Sequence, residues 1–275
     1  MTAQLGNGGL SFLDRARALS VRARIGIILA VVIAVAVVAA FVPPIPQDPS
    51  YHNFADRRAL WGIPNFGDVV SNVPFLLVGV LGIAFLLRRP DDASGNIGPL
   101  WWPFFVYFVG VALVALGSAY YHDAPSNETL FWDRLPMTIA FMALMSAFIM
   151  DRIQVKAGLV LLPFLLILGI FSVIYWRLTE QAGQGDLRPY AIVQFFPMLA
   201  IPLICILFAP RRLDARYLVP IVGFYALAKI PEFFDHGTFE LLGGTVSGHT
   251  LKHLAAAAAA YMVLPMLRHP VPTGR

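Results

Sequence analysis

Long apolar runs separated by short polar stretches dominate this chain. Eight runs are long and apolar enough, or nearly so, to cross a bilayer as helices: 25–42, 69–87, 100–116, 135–150, 157–176, 190–208, 218–234 and 249–267. A spanning helix needs roughly 20 mostly apolar residues. Only the first run is close to pure Ala, Val, Ile and Leu. The other seven carry Gly, Pro, Ser, Asn or charged residues, which suits helices packed against one another. The pattern predicts an all-α, polytopic membrane helix bundle. The alanine run at 255–260 is helix-compatible and lets neighbouring helices approach closely.

Composition agrees with this. The chain has 275 residues, of which 58% are hydrophobic and 13% charged, where a soluble domain carries about 25% charged residues. The net charge of +4 does not indicate nucleic-acid binding, because the basic residues lie between apolar runs and set topology instead. With eight spans, the segments on the N-terminal side hold 13 of the 20 Lys and Arg residues, Arg89 and Arg275 among them. The other side holds five: Arg57, Arg58, Arg134, Arg177 and Arg188. That asymmetry predicts both termini in the cytoplasm and is compatible with a bacterial inner (plasma) membrane. The first run is longer than a signal-peptide core and reads as an uncleaved anchor. Residues 43–50, PPIPQDPS, read as a linker. The single cysteine, Cys205, excludes an intrachain disulfide and reads as a small buried hydrophobe.

Candidate chemistry lies in the polar residues of the apolar runs. Ionisable groups inside a membrane are costly and by default mark function. His249 and His253 stand at i and i+4 in the last run, on one helical face. His122 ends the third run, with Ser118 one turn before it, and Asp133 starts the fourth. The eight-span topology puts all five at one depth, on the outer side. Three histidines with an adjacent carboxylate form an open catalytic zinc site. Such a metal activates water, the carboxylate takes the proton, and a serine hydroxyl donates to the oxyanion of an attacked carbonyl. That set fits amide or ester hydrolysis. Lys229 and Glu232 read as an intrahelical pair, Lys252 as a partner of Glu232 or Asp235, His236 as interfacial, and His52 and His269 as surface residues.

The sequence GSAYYHD, with an aspartate eleven residues after its histidine, then LPM, then a late GHxxxH, resembles the alkaline ceramidase family. That family lies in the wider superfamily of seven-helix membrane hydrolases that includes the progestin and adiponectin receptors. The likeness runs over about 56–267. It implies His122, His249 and His253 as zinc ligands, with Asp133 and Ser118 as catalytic residues. FGDVVSNVPFLLVG is similar to the family's first core helix, where Asn-x-x-Ser-Asn is usual; Asp68 replaces the first Asn, and Ser71 and Asn72 match. The family's calcium-associated stretch falls on FADRRALWGIPNFGD. Asp56, Asn65 and Asp68 offer oxygens for Ca²⁺ there, and Arg57 and Arg58 argue against it.

The expected architecture is thus a basic N-terminus, extra transmembrane helix and linker at 1–50, then a seven-helix hydrolase domain at 51–275. The expected function is zinc-dependent hydrolysis of the N-acyl amide of ceramide-like lipids, with a membrane lipid as the partner and no nucleic acid. The alternatives are a hydrolase of another lipid amide or ester, a receptor-like seven-helix zinc protein without significant hydrolysis, and an ion-coupled transporter using Asp133, Lys229 and Glu232. No internal repeat supports the transporter.

Overall fold

A computed structural model describes residues 11–88 and 97–271. Arg89 and Arg275, counted above for topology, lie outside the described residues, as do positions 1–10 of the N-terminal segment. The described residues form an all-α protein: α1 (Phe12–Ala18), α2 (Val21–Phe41), α3 (Phe66–Val70), α4 (Val73–Leu87), α5 (Trp101–Asp123), α6 (Asn127–Arg152), α7 (Val155–Gln181), α8 (Arg188–Leu207), α9 (Leu218–Phe233), α10 (Asp235–Leu241), α11 (Gly248–Tyr261) and α12 (Val263–Arg268). Seven helices, α3 with α4 and α11 with α12 each counted as one, are long and apolar enough to cross a membrane. The number becomes eight if α9 and α10 form one span. The protein is therefore a polytopic membrane helix bundle.

Helix α6 is the axis of the bundle. Of its 18-residue apolar window 78% is buried, more than in any other span, and it packs on α5, α7 and α8. Its low hydropathy and its burial are consistent, because a helix shielded from lipid by its neighbours needs no apolar surface all round. Helix α2 is the opposite case, with none of its residues buried. Arginines of α1, α2 and α8 tie the N-terminal helices to α8. Arg17 and Arg24 donate to the Cys205 and Leu207 carbonyls at the C-terminal end of α8. Arg188, at the other end of α8, donates to the Ala39 and Val42 carbonyls. Helix C-termini leave carbonyls unpaired and carry partial negative charge, so guanidinium groups are favoured there.

Three spans are interrupted, two of them near polar residues of the site. The first core span breaks at Ser71–Asn72, between α3 and α4. The last breaks at Met262. The chain turns by 80° between Phe233 and Asp235, so α9 and α10 form a bent pair rather than one straight span. The fourth span starts two turns earlier than its apolar pattern indicates. Ser126 caps α6 through Thr129, so Asp133 lies inside the helix rather than at its start. Arg134 and Arg152, expected in connecting segments, are buried helical residues. Arg152 pairs with Asp151 at 3.0 Å and donates to the Leu213 carbonyl, while Asp151 accepts from the amides of Arg212 and Leu213. That network fixes the loop between α8 and α9.

Close helix approach at the functional end requires Gly117. A Cβ there would overlap the Trp132 carbonyl of α6. Replacing Gly117 by Ala must push α5 off α6, and overpacking of this kind costs about 1–3 kcal/mol. Gly223, which has open space around its Cβ position, is the matched control. A thermal-unfolding measurement in detergent is expected to show Gly117→Ala clearly destabilised and Gly223→Ala unchanged or slightly stabilised.

Candidate active site

The site lies where α5, α6 and α11 meet at the end of the bundle covered by the linker. Helix α5 continues past its apolar run because one face of the extension is enclosed: Ser118, Tyr121 and His122 are all buried. Helix α11 begins at Gly248 with Ser247 as its cap, whose hydroxyl accepts from the Thr250 amide and donates to Asp68 Oδ1 at 2.6 Å. Asp235 accepts from the His249 amide at 2.7 Å and from the Ala55 amide at 2.9 Å. A carboxylate at a helix N-terminus is favourable, and here it also ties the linker to α11.

His122, His249 and His253 converge. One ring nitrogen from each lies within 4.8 Å of the other two. The Nε2 atoms of His122 and His249 are 3.2 Å apart. Two imidazole lone pairs at that distance repel unless a proton or a cation lies between them. Two nitrogens in a tetrahedral zinc shell are about 3.3 Å apart, from Zn–N bonds of roughly 2.0–2.1 Å. Ser71 fixes the third ring. Its hydroxyl donates to the Asp68 carbonyl at 3.1 Å and lies 2.7 Å from His253 Nδ1. Since the hydroxyl has one proton, His253 donates from Nδ1, which leaves Nε2 as a free lone pair. This tautomer follows from the hydrogen-bond network. The donor set therefore suits a metal ion such as zinc. Phe54 of the linker lies over the cluster, its ring centroid 4.6 Å from His122 and 4.5 Å from His249.

Asp133 and Ser118 are hydrogen-bonded to each other through their side chains. Both line an elongated cavity of about 390 Å³, with His253, Lys252 and Glu232 also at its polar end. Glu232 bridges Lys229 at 2.6 Å and Lys252 at 3.0 Å, and the Lys252 ammonium is 3.2 Å from His249 Nε2. Beyond this end the walls are apolar, with Val111 and Val114 of α5, Met137 and Leu144 of α6, and Ile201 of α8. From Asp133 to Leu144 along α6 the cavity wall runs for about 16 Å.

Of the five residues expected to act together, the three histidines form one cluster, and one of them, His253, lines the same cavity as Ser118 and Asp133. The three oxygen-bearing residues considered for calcium have other partners. Asp56 accepts from both Nε and Nη2 of Arg58 and from the Gly67 amide. Burial opposes its ionisation, but Arg58 and the backbone amides outweigh it and hold the carboxyl below the usual range. Asn65 donates to the His122 carbonyl. Asp68 accepts from Ser247 and Thr250 through one oxygen, while Oδ2 has no partner. Lys229 pairs with Glu232 as the spacing indicates. His52 is half-buried and bonded to Tyr121 and Asn127, not a free surface residue. His236 contacts the Asn53 carbonyl.

Several contributors carry no distinct sequence signal. Phe54 is one aromatic residue in a linker. Asn65, at φ +45°, is a left-handed residue next to Pro64. Ser71 is visible only as part of the Ser-Asn pair, which gives its place but not its partner.

A ceramidase family model matches residues 62–218, more than half of the chain. The match includes Ser118, His122 and Asp133 and stops before His249 and His253. No curated protein matches the sequence. The chain belongs to the ceramidase family, hydrolases that act on lipid amide bonds. The two later histidines join the site through geometry, because α11 brings them against His122.

Proposed function

We propose that this protein is a zinc-dependent intramembrane amidase that cleaves the N-acyl bond of ceramide-like lipids to a fatty acid and a long-chain base. The observation that carries the reading is the convergence of three histidine nitrogens, one of them from His253, which lines an apolar cavity together with Asp133 and Ser118. His122, His249 and His253 hold the ion. Zinc there supplies a Lewis acid that polarises a carbonyl and makes water more acidic. The acyl chain lies in the apolar part of the cavity and leaves its amide at the polar end. Asp133 takes a proton from the attacking water as its oxygen bonds to the carbonyl carbon. Ser118 donates to the oxygen that becomes negative. Asp133 then returns the proton to the nitrogen as the C–N bond breaks. Lys252, held by Glu232, keeps positive charge near Asp133. Ser71 orients His253, and partners of this kind typically change metal affinity 10–100-fold.

Residues 51–275 form the hydrolase domain in this reading, and 1–50 supply a basic N-terminus, an anchoring helix and a linker. Both termini lie in the cytoplasm of a bacterial inner membrane, with the active site near the outer face. Glu128→Cys is then labelled from outside and Arg211→Cys from inside, in a Cys205→Ala background. Labelling of both from one side contradicts this topology.

The catalytic roles are tested with a broad panel of lipid amides and esters. Asp133→Asn is expected to keep the metal and lose about 10²–10⁴-fold in turnover. Ser118→Ala is expected to keep the metal and lose roughly 10²–10³-fold. Near-normal turnover by metal-loaded Asp133→Asn defeats the mechanism. No hydrolysis of any lipid by the wild type favours the receptor-like alternative.

A further inference from the structure

Arg134 is the one cation at the polar end of the cavity without an acidic partner. Its neighbour Asp133 is the proposed base, and Arg134 itself lines the same cavity. The residue is only 5% exposed. Its guanidinium is enclosed by aromatic rings, with Cζ 4.3 Å from the centroid of Trp176, 4.7 Å from Tyr190 and 5.7 Å from Tyr51. Nη2 donates to Gln47 Oε1 at 2.7 Å, and Nη1 is buried without a partner. Among the described residues, no carboxylate lies within ion-pair distance of it. Glu180 stops short: it accepts from the Gln47 amide and the Trp176 indole instead.

A buried charge without a counter-ion is costly. Cation–π contacts offset part of that cost but leave Nη1 without an acceptor. Charge at this end of the cavity points the same way. Lys229, Lys252 and Arg134 face Asp133 and Glu232, and Glu232 is already held between the two lysines. One positive charge is left over, before any metal ion adds to it.

We propose that Arg134 binds an acidic group, such as a carboxylate, sulfonate or phosphate, on the head of the lipid substrate, a few bonds from the scissile amide. Guanidinium recognises such oxyanions through paired, charge-assisted hydrogen bonds. The inference rests on the amidase reading and narrows it: the preferred substrate is a ceramide-like lipid whose long-chain base carries an anionic head group rather than a neutral one, and short N-acyl amides serve as its probes.

The test uses N-palmitoylglycine and N-palmitoylethanolamine. They share acyl chain and amide and differ only in a carboxylate against a hydroxymethyl group. Equilibrium binding to the full-length protein in neutral detergent is measured separately from hydrolysis. Wild type is expected to bind the glycine amide at least about ten-fold tighter, the usual scale for a charged hydrogen bond, and Arg134→Gln to abolish that preference. Arg134→Lys is expected to keep part of it. Equal affinity of wild type for the two lipids overturns the proposal without recourse to any variant. So does an unchanged preference in folded Arg134→Gln, which would leave Arg134 as a structural tie to Gln47. If Arg134→Gln does not fold, the wild-type comparison, repeated with N-palmitoyltaurine, decides. Selective binding without turnover supports the anion site while removing the amidase reading; turnover without selectivity does the reverse.

Discussion

Polar groups in a bilayer must find their partners within the protein, because the hydrocarbon core offers no water to replace a missing hydrogen bond. That constraint organises this molecule. Imidazoles, lysines, arginines and several carboxyl groups gather at one end of the bundle, and many of the irregular features there coincide with bonds to them, while Asp68 Oδ2, His122 Nδ1 and Arg134 Nη1 are left without a partner. Ser71 breaks the first core span and faces His253. Asp68 receives the hydroxyls of Ser247 and Thr250. Asp235, at the bend after α9, receives the His249 amide and the Ala55 amide of the linker. The interruptions at Ser71–Asn72 and before Asp235 coincide with these bonds, as expected where irregular backbone is tolerated only inside the protein.

The segment between α2 and α3, which takes in the linker and the residues after it, lies over this polar layer. Phe54 rests on two of the histidines, Gln47 meets Arg134, and Tyr51 is near the same guanidinium. Arg58 neutralises the buried Asp56, whose second oxygen also accepts from Gly67 at the start of α3. The cover excludes water from above, while the apolar cavity opens a space below. In the proposed reaction the amide lies near Ser118, Asp133 and His253, with a hydrocarbon-like wall beyond it. Such an enclosure strengthens every electrostatic contact made to a developing charge.

Much of this was legible in the sequence. The apolar runs located the seven helices long enough to cross a membrane, since length and hydropathy report directly on the thickness of the bilayer, while the run at 218–234 falls in the bent pair of α9 and α10. The i, i+4 histidines and the GSAYYHD segment pointed to one site, because charged or ligating groups have few other reasons to be in lipid. The ends of the spans were less legible. NETLFWDR looks like a loop on polarity, yet it is the first two turns of α6, where a capping serine and neighbouring helices replace lipid. Arg134 was assigned to a connecting segment for the same reason, although aromatic faces from three elements enclose it. Ser71, Asn65 and Phe54 serve the site through contacts between segments distant in sequence, which no local pattern encodes. The 80° turn at Phe234 likewise follows from packing of α9 against α11 and from Asp235, not from hydropathy.

The central claim is that His122, His249 and His253 form a metal site and not merely a buried hydrogen-bonded cluster. X-ray absorption at the zinc edge of the purified full-length protein tests it most directly. The account predicts about one zinc per chain, a first shell of nitrogen and oxygen near 2.0–2.1 Å, and the outer-shell scattering of three imidazoles, reduced in His253→Ala. Absence of stoichiometric metal after purification in zinc-replete buffer, or the same imidazole scattering in a His249→Ala, His253→Ala double variant, would contradict it.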